Sequence, residues 1–104
     1  MRYKPVEWGA VALLMRDSTY RVLEAIHKEP KSWSELVAAT QLTEPGLSKV
    51  LKEMKGRKIV IEITGKSPTG AATKRYGLSH KAEKLKIFET AKLLKKKLHE
   101  LSNQ

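Results

Sequence analysis

Apolar positions along this chain follow a helical period, then break into β-branched runs, then become helical again. Trp8, Val11, Ala12 and Met15 lie at helical spacing, and Leu13 and Leu14 widen the apolar face. Pro5 suits a first helical turn, so the pattern predicts a helix over 5–15. A helix apolar on most sides needs cover on most sides, and in so small a chain a partner subunit is one source of it. Asp17, Ser18 and Thr19 are N-cap candidates for a second helix, with Val22, Leu23 and Ile26 as its buried stripe and Pro30 as its end. Ser32-Trp33-Ser34-Glu35 carries the S-x-x-E capping spacing, with Ser34 as a competing cap, and opens a short helix ending near Thr40. Thr43 caps a fourth helix through Leu47, Val50, Leu51 and Met54 to about Lys55, and Gly56 is expected to end it.

The period then changes. Ile59 to Thr64 is β-branched and short, a strand. Gly65 to Thr73 reads as a nine-residue turn-rich loop, and Lys74 to Leu78 as the returning strand. A short strand around Trp33 would add a third member to the sheet. Ser79 caps a long final helix to about Leu101, ~33 Å at 1.5 Å per residue. Within it Leu78, Ala82 and Leu85 form one series, while Ile87, Ala91, Leu94, Leu98 and Leu101 step as a heptad seam, with Phe88 bridging the change of phase. The order predicts an α+β, mostly helical domain spanning 1–104, with a core over 18–78 and a final helix over 79–101. The first and last helices are expected to form a homodimer interface through Trp8, Val11, Ala12, Met15, Ile87, Ala91, Leu94, Leu98 and Leu101.

Charge sharpens this picture. The 104 residues carry a net charge of +10, and it is unevenly spread. Residues 1–42 hold 6 basic and 5 acidic side chains, whereas 43–104 hold 15 and 6. Such asymmetry points to a polyanionic partner. On the fourth helix Pro45, Ser48, Lys49 and Lys52 fall opposite the apolar stripe, a slim cationic face that can enter a major groove. Its N-terminus offers N–H groups to a phosphate. Lys66, Lys74 and Arg75 decorate the hairpin, which suits a minor groove or its phosphate rim.

These motifs resemble the winged helix-turn-helix family. Ser34-Glu35-Leu36-Val37 through Leu42-Thr43-Glu44-Pro45-Gly46-Leu47-Ser48-Lys49-Val50-Leu51 is similar to its "SELA…LGLS…TVSRHL" pattern. Lys58-Ile59-Val60 stands at its "GLV", and Leu78-Ser79-His80-Lys81-Ala82 at its "LTPKG". The match spans roughly residues 18–85. Within the family the chain looks most like small dimeric regulators of the multiple-antibiotic-resistance type, or archaeal winged-helix chromatin and viral proteins. The resemblance implies a recognition helix and a β-hairpin wing on double-stranded DNA, through Thr43, Pro45, Gly46, Ser48, Lys49, Lys52, Lys66, Lys74 and Arg75. The usual Arg of the recognition helix is Lys49 here, followed by apolar Val50, and Lys reads bases less directionally. Three functions fit: a homodimeric transcription regulator, an architectural chromatin protein of low sequence preference, and a winged-helix module for RNA or protein assembly.

Other chemistry finds little support in the residues. With no cysteine there is no disulfide framework, cysteine zinc site or thiol nucleophile, which fits a reducing cytoplasm. His27, His80 and His99 lack metal spacing, and no catalytic set stands out, so neither enzyme, metal nor cofactor is expected. Gly65-Lys66-Ser67 resembles the end of a phosphate loop, but Val60 stands where the earlier Gly is required. Gly9 to Met15 faintly imitates a signal peptide, yet it is short, preceded by Glu7 and followed by no cleavage site, so a buried helix is expected. No apolar run suits a membrane span. A dimer crevice lined by Trp8, Tyr20 or Phe88 leaves room for a small-molecule effector of unspecified identity.

Overall fold

The computed structural model describes residues 8–103. Four helices come first: α1 (Trp8–Met15), α2 (Asp17–Ile26), α3 (Trp33–Thr40) and α4 (Glu44–Gly56), with a two-residue strand β1 (Lys31–Ser32) between α2 and α3. The hairpin β2 (Val60–Lys66) and β3 (Ala72–Leu78) follows, then α5 (His80–Lys84) and α6 (Ile87–Ser102). The sheet is antiparallel with order β1-β3-β2. The architecture is the α+β, mostly helical one that the periodicity predicts, with the helix pair and β-hairpin wing that the resemblance implies. Of the helix expected over 5–15, the portion before Trp8 lies outside the described residues.

One core joins the layers. Leu13, Val22, Leu23, Ile26, Leu36, Leu47, Leu51 and Met54 are almost wholly buried, closed below by Ile59 and Val60 and on the far side by Ala82, Phe88 and Ala91. Each buried Leu contributes roughly 1.5–3 kcal/mol of transfer free energy. Ser32 and Glu35 form a complete capping box on α3, so Ser34 is not the cap. The Ser79 hydroxyl accepts the Ala82 N–H at 3.0 Å and donates to the Lys58 carbonyl at 2.6 Å. That one side chain starts α5 and fastens it to the end of α4.

Four local expectations are corrected. Arg16, not Asp17, Ser18 or Thr19, is the N-cap of α2, and it makes no side-chain cap bond. Asp17 instead pairs with Arg21 one turn on, at 2.8 Å. The third strand forms at Lys31–Ser32, just ahead of Trp33, paired with Tyr76 and Arg75. Gly56 is the last helical residue of α4 rather than its stop. The chain turns at Lys58, at φ 60°, where Lys58 N–H bonds the Lys55 carbonyl and Ile59 N–H the Met54 carbonyl, a Schellman closure without glycine. The nine-residue loop shrinks to residues 67–71, because Thr64, Gly65 and Lys66 pair with Lys74, Thr73 and Ala72. A ladder needs backbone groups, not apolar side chains, so polar composition hid it. Gly70, at φ 86°, donates its N–H to the Ser67 carbonyl and turns the hairpin in a conformation that favours glycine.

The largest correction concerns the final helix. It is not continuous over 79–101: α5 ends at Lys84, and Lys86, at φ 55°, starts α6 in a new direction. The two apolar series are out of phase, and a straight helix cannot bury both. The left-handed residue re-aims the second series, so that Phe88 stacks on His27 with centroids 4.0 Å apart and on Tyr20 at 6.0 Å. Leu85 is left 58% exposed at the corner. With 16 residues, α6 is ~24 Å long.

Candidate nucleic-acid interface

The α3–α4 pair is held by a locked turn. Thr40, buried, donates its hydroxyl to the Leu36 carbonyl at 2.7 Å and accepts the Leu42 N–H at 3.3 Å, while Arg21 from α2 bonds the Thr40 carbonyl at 3.0 Å. Gln41 closes α3 in the left-handed region at φ 57°. Thr43 then caps α4 by accepting the Gly46 N–H at 3.1 Å. Its hydroxyl is thus committed to the helix. Arg16 grips Glu53 at 2.8 Å and ties the α1–α2 junction to the far half of α4.

Leu47, Val50, Leu51 and Met54 are buried on one side of α4, and Pro45, Ser48, Lys49 and Lys52 are exposed on the other, as their spacing predicts. Gly46 is half-buried behind Thr43. The exposed face carries the Lys49 and Lys52 ammonium groups, with the Glu44 carboxylate exposed one turn before Ser48.

The hairpin register divides its cations. Residues directly opposite in an antiparallel pair share a face. Lys66 with Ala72, Thr64 with Lys74 and Glu62 with Tyr76 occupy one face; Ile63 with Arg75 and Ile61 with Gly77 occupy the other. Lys66 and Lys74 therefore point together and Arg75 points away. On that second face Gly77 admits a close approach: a side chain there would meet Pro30 at 3.2 Å and Ile63 at 3.4 Å. Arg75 reaches back to Glu35 at 3.1 Å and to the Pro30 carbonyl at 3.4 Å, bracing α3 against the sheet.

Two carboxylates answer the cations. Glu62 takes the Lys55 ammonium on one oxygen and Lys74 on the other, the latter at 3.3 Å. Hydrogen bonds, first from Lys55 and then from Lys74, hold its pKa below the usual glutamate range. The Glu35 carboxyl is lowered chiefly by hydrogen bonding to the Ser32 backbone N–H and hydroxyl, with a smaller contribution from Arg75. Lys55, Glu62 and the pairing of Glu35 with Arg75 escape a reading of sequence alone, because the partners lie on other elements. The helical register of α4 does place Lys55 one turn after Lys52, the only available signal.

The residues expected at a dimer interface separate by exposure. Trp8 is 74% and Leu101 67% exposed, and Ala12 and Met15 are also exposed. Val11, Ile87, Leu94 and Leu98 are half-buried, and Ala91, at 2%, packs inside its own subunit. Leu14, Met15, Tyr20, Leu94 and Leu98 line an open groove of about 610 Å³ between the α1–α2 junction and α6. Lys95 spans it, 4.1 Å from the Tyr20 ring centre and 3.4 Å from Asp17. Phe88 is consumed by the core rather than offered to an effector. Among the described residues no three His, Asp or Glu side chains cluster as metal ligands, and no helix is long and apolar enough to cross a membrane.

No protein-family model and no curated protein sequence matches this chain. Solved structures do. The diamide-treated YodB of Bacillus subtilis superposes with TM-score 0.71 at 19% identity, over 89% of this chain and 92% of that one. A PadR-like transcription factor of Bacteroides fragilis gives 0.67 at 20% identity, over 93% and 97%. A candidate transcriptional regulator of Thermoplasma acidophilum gives 0.54 at 23% identity, over 94% and 98%. At these identities the likeness is one of fold, and that fold is the winged helix. The resemblance seen over residues 18–85 holds at that level; the neighbours carry descriptions other than the multiple-antibiotic-resistance type.

Proposed function

We propose that this chain is a double-stranded DNA-binding transcription regulator that acts as a homodimer. The carrying observation is the cationic face of α4, where Ser48, Lys49 and Lys52 stand exposed on a helix fixed from behind by Leu47, Leu51 and Met54. In this reading α4 enters the major groove, and Lys66 and Lys74 meet phosphates beside it. The winged-helix neighbours described as transcription regulators support the same assignment. Exposed Trp8, Met15 and Leu101 on α1 and α6 support a dimer, which would set two half-sites about one helical turn apart, ~34 Å.

Lysines in place of arginine on α4 favour a second reading, an architectural protein that binds DNA with little sequence preference. Competition between duplexes of different sequence and RNA separates the two. Lys49→Ala and Lys52→Ala should each weaken duplex binding without unfolding the domain. Duplexes that all compete alike select the architectural protein, and RNA that outcompetes every duplex refutes both DNA readings. Sedimentation should give about twice the 11.8 kDa subunit mass; a monomer at every workable concentration removes the dimer.

A further inference from the structure

Lys55 lies in the last turn of α4 and Lys74 on the returning strand of the wing, yet one carboxylate holds both. Each oxygen of Glu62 accepts one ammonium group. The arrangement is that of a phosphodiester bound through its two non-bridging oxygens: an oxyanion with spread charge and a separate cation on each oxygen. Glu62 stands on the same hairpin face as Lys66 and Lys74. All three side chains of the cluster are partly exposed, at 41% for Lys55, 29% for Glu62 and 52% for Lys74, so an incoming anion can reach the ammonium groups from solvent.

We propose that Lys55 and Lys74 form a single phosphate-binding site bridging the recognition helix and the wing, and that Glu62 occupies it in the free protein as an internal competitor. This rests on the DNA-binding reading above and adds to it a site and a regulator of affinity. Two consequences follow from the geometry. A phosphate that enters must displace Glu62, so part of its attraction is spent on an existing pair. The displaced carboxylate then faces the backbone of the nucleic acid and repels any contact that does not engage both lysines. Glu62 thereby lowers general affinity for polyanions and favours ligands that reach helix and wing together. Lys55 becomes a binding residue, and Glu62 a residue that tunes binding without making an attractive contact of its own.

The test compares duplex affinities of the full chain at fixed salt. Glu62→Gln removes the competitor and keeps the shape of the side chain. Release of two partly exposed pairs should tighten binding by about 3- to 10-fold. Glu89→Gln, an equal change in net charge on α6 far from the cluster, should alter it less than 2-fold, a bound on order-of-magnitude screening grounds. The gain from Glu62→Gln should vanish in a Lys55→Ala/Lys74→Ala background, since nothing is left to release. Thermal melting checks that each variant is folded. Equal gains from Glu62→Gln and Glu89→Gln, or a gain that persists without the two lysines, overturn the proposal while leaving the DNA reading intact. A wild-type chain that binds no duplex refutes the DNA reading instead. Inorganic pyrophosphate then tests the site by itself: amide resonances of residues 55 and 74 in Glu62→Gln should shift on titration and should not in the double-alanine background, and silence in both overturns the site.

Discussion

The register of the wing predicts that its three cations do different work, and the difference is measurable. Lys66→Ala and Lys74→Ala remove charges from the face shared with Glu62 and Tyr76, whereas Arg75→Ala removes one from the opposite face. Each phosphate contact contributes ~0.9 to the slope of log affinity against log salt. The double lysine variant should therefore lose roughly 1.8 of slope magnitude. Over a rise from about 50 to about 200 mM salt, each lost contact changes the salt sensitivity about 3.5-fold. Arg75→Ala should leave the slope unchanged. Its cost falls on the fold, because Arg75 braces Glu35 at 3.1 Å and the Pro30 carbonyl at 3.4 Å. The pair is about half exposed, so solvent screening keeps its contribution small. The melting temperature should therefore fall slightly but measurably. Fluorescence anisotropy of a labelled duplex across a salt series reads the slope, and circular dichroism reads the melt. An Arg75→Ala slope reduced as much as that of Lys74→Ala would show that the two faces are not functionally distinct. An intact slope in the double lysine variant would make the hairpin a passive loop.

Other predictions concern stability and pH. Lys58 sits at φ 60°, which costs a residue with a Cβ ~1–2 kcal/mol, while glycine adds ~0.5–1 kcal/mol of unfolded-state entropy. Lys58→Gly should thus gain ~0.5–1 kcal/mol and Lys58→Ala almost nothing; equal melting temperatures for both would refute the cap argument. Thr19 is fully buried and its hydroxyl finds no partner among the described residues, so Thr19→Val should be neutral or stabilising by up to ~1 kcal/mol, and a large loss in a denaturant titration would reveal a missed bond. Glu35 and Glu62 have pKa values held below the ordinary 4.5. Their stabilisation is therefore complete above that value and is lost as pH falls through their lowered ones. Melting temperatures measured down that acid limb should fall less steeply for Glu62→Gln than for wild type, and parallel curves would exclude the pairing.

Local chemistry was legible before any coordinates. The α4 stripe of Leu47, Val50, Leu51 and Met54, the Thr43 cap and the Ser32–Glu35 capping box depend on residues within a turn or two of one another, so sequence spacing determines them. The same spacing leaves Ser48, Lys49 and Lys52 exposed without reference to the rest of the fold. Tertiary structure decided what depends on distant partners. Continuous helical propensity runs through residues 79–101, but burial of Phe88 against His27 and Tyr20 requires the break at Lys86. Strand alternation puts Lys74 and Arg75 on opposite faces, yet only the register that sets Lys74 beside Glu62, together with the Lys55–Glu62 ion pair, says which face looks toward α4. Glu62 itself reads as an ordinary strand glutamate. Its place between Lys55 and Lys74 arises because helix and hairpin pack on a common core, and charges far apart in sequence interact only where packing brings them together.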